Sequence, residues 1–575
     1  MGYSLTYPFD SGVLLSKYKT IKRELLEETR DFTRKKIAIL GGSTTADIRK
    51  MLDLFLISYG IIPEFYESEY AKFWEDAMFP SEKLTSFNPD IIYIHTSLRN
   101  FAQYEHYEQM WEKLRETYHC PIIQNNFEYP YYRLMGNKEA THGRIKEITE
   151  MNLKFSDYAR AHDSFYICDI NWLSADFGLS KWSDPFYWYM YKYALALPAI
   201  PTLSYNVANI IKSIYGTNKK AFALDLDNTL WGGVIGDDGA ENIQIGQETP
   251  EAMAFSEFQS YLKSHKDLGI ILNIISKNER ENALAGLKRP DSTLTPDDFI
   301  SIKANWEPKS LNLSQTAQEL SLGVDSFVFV DDNPAEREIV RRQLPGVAIP
   351  EITSPEHYIY DIDRAGYFEV TTLTADDAKR NEQYKVNAAR SELRNSFSDY
   401  NEYLKSLEMS AEIKPFEPLY FSRISQLTNK SNQFNLTTKR YSPDEIEAFS
   451  VSEQFITLYG RLNDKFGDNG IVSVIIGEIC DNNLKIILWL MSCRVLKRDM
   501  EYAMMDELIR IAKTKGIRTL TGYYFPTAKN AMVRDFYETF GFTKISEDTT
   551  GATTWSLDTD SYAPKQNSIQ VNFIK

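Results

Sequence analysis

Cysteine is scarce in this chain: Cys120, Cys168, Cys480 and Cys493 are the only four among 575 residues, too few and too scattered for a disulfide framework or a paired-cysteine metal site. A reducing compartment follows. Positive charge is also in deficit, because 64 Lys and Arg face 80 Asp and Glu, and a net charge of −16 repels phosphate backbones and anionic lipid surfaces. Nucleic acid and membranes are thereby disfavoured as partners. There is no long hydrophobic run either. The most apolar stretch, FYWYMYKYALALPAI between Pro185 and Pro201, carries Lys192 and falls short of the roughly 20 residues of a membrane span. It is expected as a buried or interface helix. The start, MGYSLTYPFDSGVLL, has no basic segment followed by an apolar one, so no secretory signal is expected and the cytoplasm is the expected location.

What remains is the composition of a folded protein: 43% hydrophobic and 25% charged residues exclude disorder, collagen and coiled coil as descriptions of the whole. At about 100 to 200 residues per domain, the length predicts three or four domains. Up to about residue 215 the chain alternates strand and helix: KKIAILGG, a helical TTADIRKMLDLFLISYG, PDIIYIHTS, a helix near 101–118, then CPIIQNN. From Lys219 a second alternation begins, with AFALDLD, IILNIIS and SFVFVDD as short apolar strands between helices. Both patterns predict parallel sheets. Residues 351 to about 410 are charged and helix-prone, and a third region after 415 mixes strands with the helix DMEYAMMDELIRIAKTKG and a further one over AKNAMVRDFYETF.

The chemistry concentrates in the middle region. Each apolar strand there ends in a polar cluster: Asp225 and Asp227, then Ser276 with Lys277 and Asn278, then Asp331 with Asp332 and Asn333. Strand carboxyl ends of an open parallel sheet line one crevice, so clusters about 50 residues apart in sequence converge there. Two carboxylates two residues apart, joined by a third from Asp331, supply the oxygen ligands that magnesium prefers. Lys303 and Lys309 both precede the last cluster, and the 22-residue separation from Asp331 favours Lys309. Asp332 is either a metal neighbour or a helix N-cap. Between Asp227 and Ser276 the string WGGVIGDDGAENIQIG reads as a hairpin flap turning at its Asp-Gly pair. No interval is long enough for a separate cap domain, so the crevice is expected to admit a bulky or carrier-borne substrate.

The order DLDNTL, Ser, Lys, DD resembles the haloacid dehalogenase superfamily of phosphoryl-transfer enzymes. That resemblance implies Asp225 as nucleophile, Asp227 as general acid and base, Ser276 as a hydrogen-bond donor to a phosphoryl oxygen with Lys277 and Asn278 beside it, and Lys309 as the neutralising cation. It also implies Mg2+ held by Asp225, Asp227 and Asp331. The longer strings DLDNTLWGGVIGDDG, ISKN, ANWEPKS, FVFVDDNPAERE, QLTNKSNQFNLTTKRY, FGDNGIVSV and LMSCRVLKR are similar to the FkbH-like branch, across roughly residues 215–545. FkbH-like proteins are implicated in taking a glyceryl group from 1,3-bisphosphoglycerate, removing phosphate and loading the acyl group onto an acyl carrier protein in polyketide biosynthesis. The implied fold class is an α/β multidomain protein. Residues 1–215 would form an SGNH-like domain, 216–360 a HAD-like parallel-sheet domain without a large cap, 361–412 a helical linker and 413–575 a GNAT-like mixed domain.

The GNAT resemblance rests on NAMVRDFYETFGF. It departs from the coenzyme A loop, where Lys497 and Asp499 stand in place of glycines that bring backbone N–H groups to a pyrophosphate. Cys493 lies between an apolar strand and a helix, beside Arg494, Lys497 and Arg498. Helix dipole and cations there would stabilise a thiolate able to hold an acyl group. The same three cations, with Lys430, Lys439 and Arg440, are a candidate dock for an acidic carrier.

In the first domain, ILGGSTTADI places Ser43 in a strand-to-helix turn, as in SGNH hydrolases, but Gly42 replaces their aspartate and no downstream DxxH supplies a base. A helix-capping role for Ser43 or Thr44 and a structural role for His95 are the expectations. The competing functional reading of the whole chain is a phosphatase of a small phosphorylated metabolite or sugar, with a non-catalytic third domain.

Overall fold

The computed structural model describes residues 3–27, 32–373, 380–395, 397–431, 433–492, 495–527 and 529–572. The chain divides into two compact units, one of Met1–Thr217 with Tyr441–Glu447, the other of Asn218–Arg440 with Ala448–Lys575. The short return of 441–447 to the first unit falls inside the segment that the sequence reading gives wholly to a third domain.

The first unit is built on five parallel strands in the order Ile61–Glu67, Thr33–Gly41, Ile91–His95, Ile122–Asn125, Phe165–Cys168. Alternation along Thr33–Gly41 explains its two covered faces. Ile37 and Ile39 join one core with Leu52, Phe55 and Leu203, whereas Ala38 and Leu40 join another with Trp111 and Phe155. The helices Ala46–Ser58 and Ala199–Ile214 cover the first face, and Tyr104–Tyr118 and Arg144–Ala161 the second.

The aromatic stretch after Pro185 departs from expectation. It is not one buried helix: a helix over Pro185–Tyr191 stops where Lys192 takes a left-handed φ of 59°, and Phe186, Tyr189, Met190 and Tyr191 are exposed. Only past the break do Ala194 and Leu195 turn into the core. Among the described residues no helix is long and apolar enough to cross a membrane.

In the second unit a four-stranded parallel sheet runs in the order Phe299–Ala304, Ile271–Ser276, Ala221–Leu224, Phe327–Val330. Its strands are apolar on both faces because both are covered. Phe222 and Leu224 pack with Val328 and Val330, and Ala221 and Ala223 with Phe327 and Phe329. The expected flap is not a simple hairpin. Gly232 and Gln244 pair antiparallel, but a helical turn over Ile235–Asp238 lies between them, and the Asp-Gly pair ends that turn, Gly239 taking φ 81°.

A helix over Arg380–Asn395 then spans the unit. At its start Asn381 donates to the Lys266 carbonyl (2.8 Å) and Tyr384 joins the core beneath the parallel sheet. Near its end Arg390 pairs with buried Asp464 at 2.7 Å. Asp464 belongs to a nine-stranded mixed sheet ordered Thr543–Glu547, Thr553–Asp558, Thr519–Tyr524, Asn483–Met491, Gly467–Cys480, Phe455–Asp464, Ser410–Lys414, Gln570–Asn572, with Phe434–Asn435 also paired to Asn483–Met491. Its one internal parallel pairing, Asn483–Ile486 with Thr519–Gly522, stops halfway along, and the helix Met500–Thr514 packs against the sheet through Met504 and Leu508. The expected helix over AKNAMVRDFYETF is instead two short 3-10 turns, Ala531–Val533 and Tyr537–Phe540.

Candidate active site

Strand register brings the acidic clusters together. Leu224 pairs with Val330, so Asp225 and Asp331 are the next residues of neighbouring parallel strands, and the Asp225 N–H donates to the Val330 carbonyl at 3.0 Å. Ser276, also buried, ends the strand on the other side of Ala221–Leu224. Lys309 opens the helix Lys309–Glu319 and inserts its ammonium between the carboxylates, 2.8 Å from Asp225 Oδ2 and 2.6 Å from Asp331 Oδ2, with all three side chains buried. Lys303, the other lysine considered, is turned away to Glu319 at 2.6 Å.

Three carboxylates, Asp225, Asp331 and Asp332, offer oxygens within 4.8 Å of one another. Asp225 Oδ1 is buried and has no hydrogen-bond partner. An acceptor stripped of water without a donor is costly unless a cation or reacting group meets it, and an all-oxygen donor set suits a hard divalent ion. The residues present therefore fit magnesium.

Membership of this cluster differs from the set expected from sequence. Asp227 stands aside because its oxygens are taken: Oδ1 accepts from Trp231 Nε1 (2.9 Å) and the Ile235 N–H (3.1 Å), and Oδ2 accepts from Asn278 Nδ2 (3.0 Å). Asp332 takes its place among the carboxylates, and the N-cap role falls to Asn333, whose Oδ1 accepts from the Ala335 N–H. The acidic loop is pinned by groups that the motif does not announce. Thr229 Oγ1 accepts from the Asp332 N–H at 3.1 Å, and Arg337 Nη1 donates to the carbonyls of Asp331 (2.7 Å) and Asp332 (2.8 Å). Tyr358 donates to the carbonyl of Asn228, itself left-handed at φ 54°.

Electrostatics follow from this crowding. Burial, then repulsion by Asp225, pushes the Asp331 carboxyl up to about 6 despite Lys309, and raises Asp332 for the same two reasons. Burial also raises Asp227, and its donors Ile235 and Trp231 only partly offset this. For Lys309 burial opposes the charged form, but the Asp225 and Asp331 carboxylates outweigh it and raise its pKa.

Other expected residues are placed differently. Lys277 is exposed and held by Glu336 at 2.6 Å, whereas its neighbour Asn278 is buried against Asp227. Cys493 and Arg494 lie outside the described residues. Lys497 is exposed, but Arg498 is not part of an exposed basic face: it is buried, 3.4 Å from Asp464 and 3.3 Å from Asn387. The side chain of Lys430 is likewise outside the described set, and Arg440 donates to the Asn429 carbonyl. Lys497 and Asp499 both keep the left-handed backbone of the glycines they replace, at φ 63° each, and Asp499 stands at the N-cap position of Met500–Thr514, its carboxylate accepting from the Ser568 N–H at 3.0 Å rather than from the helix. A carboxylate at that helix end repels a pyrophosphate.

A family model described as FkbH, N-terminal domain, matches residues 36–212. The chain is 30% identical to the N-terminal part of a Bacteroides fragilis protein that contains a phosphatase domain and was crystallised with Mg, covering 62% of this chain and 99% of that one with a TM-score of 0.59. The chain belongs to the FkbH-like family. FkbH-like membership makes it an enzyme of the HAD phosphatase type. Over its third region this FkbH-like chain also matches the ribosomal-protein-S18-alanine N-acetyltransferase of Escherichia coli, at 15% identity over 26% of this chain and 93% of that one. The TM-score there is 0.21, a likeness too slight to carry an inference. No curated protein sequence matches the chain.

Proposed function

We propose that the protein is a magnesium-dependent phosphoryl-removing enzyme that loads an acyl group, glyceryl in the leading case, onto an acyl carrier protein. The observation that carries the phosphoryl step is the unpartnered, buried Oδ1 of Asp225 beside the Lys309 ammonium. Asp225, Asp331 and Asp332 would hold the ion, which when bound screens negative charge on an incoming phosphate.

Asp225 attacks phosphorus, an O–P bond forms as the bond to the leaving oxygen breaks, and Asp227 gives that oxygen a proton. Burial suits Asp227 to this, since a carboxyl with a raised pKa retains a proton to donate. Trp231, Ile235 and Asn278 fix its orientation. Water then attacks the aspartyl phosphate, returning its proton to Asp227, and inorganic phosphate leaves. Lys309 stays protonated throughout and offsets the charge on Asp225, while Ser276 supplies a hydroxyl at the adjacent strand end.

An acyl phosphate attacked at phosphorus would yield a free acid and lose its activation. Acyl capture therefore belongs to a thiolate. On a substrate such as 1,3-bisphosphoglycerate, Cys493 would attack the acyl carbon, form a thioester and expel phosphate, and a carrier thiol would take the acyl group by thioester exchange. The Asp225 site would remove the remaining phosphate ester. The segments between Asp227 and Ser276 and between Ser276 and Lys309 hold only helices, a strand and turns, with no inserted domain over the crevice, which supports a substrate presented on a carrier.

Intact-protein mass spectrometry with magnesium and 1,3-bisphosphoglycerate tests this. The expected results are a glyceryl adduct on the wild type, an adduct heavier by one phosphoryl group on Asp225→Asn, and none on Cys493→Ala. Phosphate release without an adduct on any form would leave a phosphatase and refute the loading step.

A further inference from the structure

The organic part of a phosphate ester has to leave on the side of the crevice where a proton is supplied, and Asp227 marks that side. Two neighbours hold its carboxylate: the Ile235 N–H of the turn Ile235–Asp238 at 3.1 Å and Asn278 Nδ2 at 3.0 Å. The residue next to each of them is exposed. Val234 precedes Ile235 and Glu279 follows Asn278, and neither is covered by the fold. Glu279 Oε1 in turn accepts from the indole N–H of Trp306 at 2.7 Å, and Trp306 is itself 67% exposed.

Although exposed, Trp306 is held in place. Ala304 pairs with Ser276, the Asn305 N–H donates to the Ser276 carbonyl at 3.2 Å, and Lys309 opens its helix three residues beyond the indole. Asn305 fixes the loop between them, because its Oδ1 accepts from the Glu307 N–H (3.1 Å) and from Asn312 Nδ2 (2.8 Å). Glu279 stands at the N-cap of Arg280–Leu287 but makes no side-chain cap there, and its carboxylate is turned to the indole instead. Leaving a large aromatic ring in water forgoes the gain of burying it, so a ring pinned by its N–H at the mouth of a crevice is a surface ready for stacking.

Charge on this rim is mostly of one sign. Asp237 and Asp238 on the turn, with Glu279 and Glu307, are exposed carboxylates. Asp238 Oδ2 accepts from the Val234 N–H at 2.8 Å, which fixes the turn and leaves the charge where it is. Lys277 is neutralised by Glu336 at 2.6 Å, so Arg280, with Nη1 on the Ile302 carbonyl at 2.8 Å, stands against four carboxylates. The phosphate itself is met by Lys309. A second anion on the organic part would meet like charge.

We propose that Trp306, together with Val234, receives the organic part of the phosphate monoester, and that the acidic rim around them selects an organic part without a free carboxylate. Trp306 is then a specificity residue for phosphoryl removal, and the inference rests on the reading of Asp225 and Asp227 given above. The organic part stacks on the indole while phosphorus meets Asp225, and the ester oxygen departs with the proton that Asp227 gives it. A glyceryl group held as a thioester satisfies this rim, because its carboxyl carbon bears no charge. Free phosphoglycerate does not.

Steady-state hydrolysis by the full-length protein with Mg2+ tests this on esters that differ in one group. Glycerol 3-phosphate should be cleaved with a kcat/KM at least about fivefold above that of 3-phosphoglycerate, and the ratio should shrink at high salt and in the double variant Asp237→Asn, Glu307→Gln. Trp306→Ala should raise the KM for naphthyl phosphate about tenfold with kcat nearly unchanged, whereas Trp306→Phe should stay within about threefold of the wild type. Methyl phosphate, which has too little surface to stack, should be hydrolysed alike by all forms, and melting curves confirm that the variants fold. Equal rates on the two glycerol-derived esters, a preference for the carboxylate, or a naphthyl phosphate KM unmoved in Trp306→Ala would overturn the inference while methyl phosphate turnover left the phosphoryl reading standing. Failure to hydrolyse any of the esters would remove both.

Discussion

Lys309 touches Asp331 at 2.6 Å across 22 residues of sequence, and the contact is buried at both ends. Removing one partner of a buried pair strands the other. Lys309→Ala is therefore expected to destabilise the metal-free protein by about 3–5 kcal/mol. Added magnesium would supply the missing positive charge, so the rise in melting temperature on adding Mg2+ should be larger in the variant than in the wild type. Equal shifts would argue against a shared role for cation and ammonium.

Asp225→Asn keeps the size of the side chain but removes its charge and its nucleophilic oxygen. Hydrolysis of a phosphate monoester should fall by at least about 10³-fold, the loss expected when a covalent nucleophile is removed, with the fold retained. Asn278→Ala should lower the rate more modestly and shift its pH profile, because it frees Asp227 Oδ2 without touching the nucleophile.

The raised pKa of Asp331 sets a pH dependence. A carboxyl protonated up to about 6 must lose its proton before binding a cation, so Mg2+ affinity should fall as pH drops through 6, by about tenfold per unit below it for one coupled proton. In the metal-free protein the sign is opposite. A carboxyl raised on folding contributes stability that is complete below about 3.9 and is lost as pH rises through 6. Calorimetric titration with Mg2+ at pH 5 and 7 and melting curves in chelator check both halves.

Lys497 holds a conformation suited to glycine. Its Cβ is strained there, so Lys497→Gly should stabilise the protein by up to about 1 kcal/mol, visible as a higher melting temperature. A lower one would mean that the lysine side chain makes a compensating contact.

The apolar runs AFAL, ILNIIS and FVFV announced the central sheet, because a strand covered on both faces must be apolar throughout, and the polar residues after each run marked the crevice. The composition of the carboxylate cluster was not legible in this way. Asp225 and Asp227 share a short motif, but the turn at Asn228 and the donors Trp231, Ile235 and Asn278 decide that Asp227 points elsewhere. Such donors are fixed by tertiary packing and leave no pattern at two-residue spacing. Arg337 was equally hidden, since an arginine on a charged helix reads as solvated until it is seen holding two carbonyls. The contact between Ser43 Oγ and His95 Nε2 likewise depends on register between segments 52 residues apart in sequence.

The helix Arg380–Asn395 carries a last consequence. Its 16 residues make a rod about 24 Å long, set into the base of one sheet through Asn381 and Tyr384 and bolted to the next through Arg390 and Asp464. A rod anchored by buried side chains near both ends cannot melt without disturbing each fold it enters. The phosphoryl-removing fold and its neighbour should therefore lose structure in one cooperative transition, and Arg390→Met, which severs only the far anchorage, should split that transition into two.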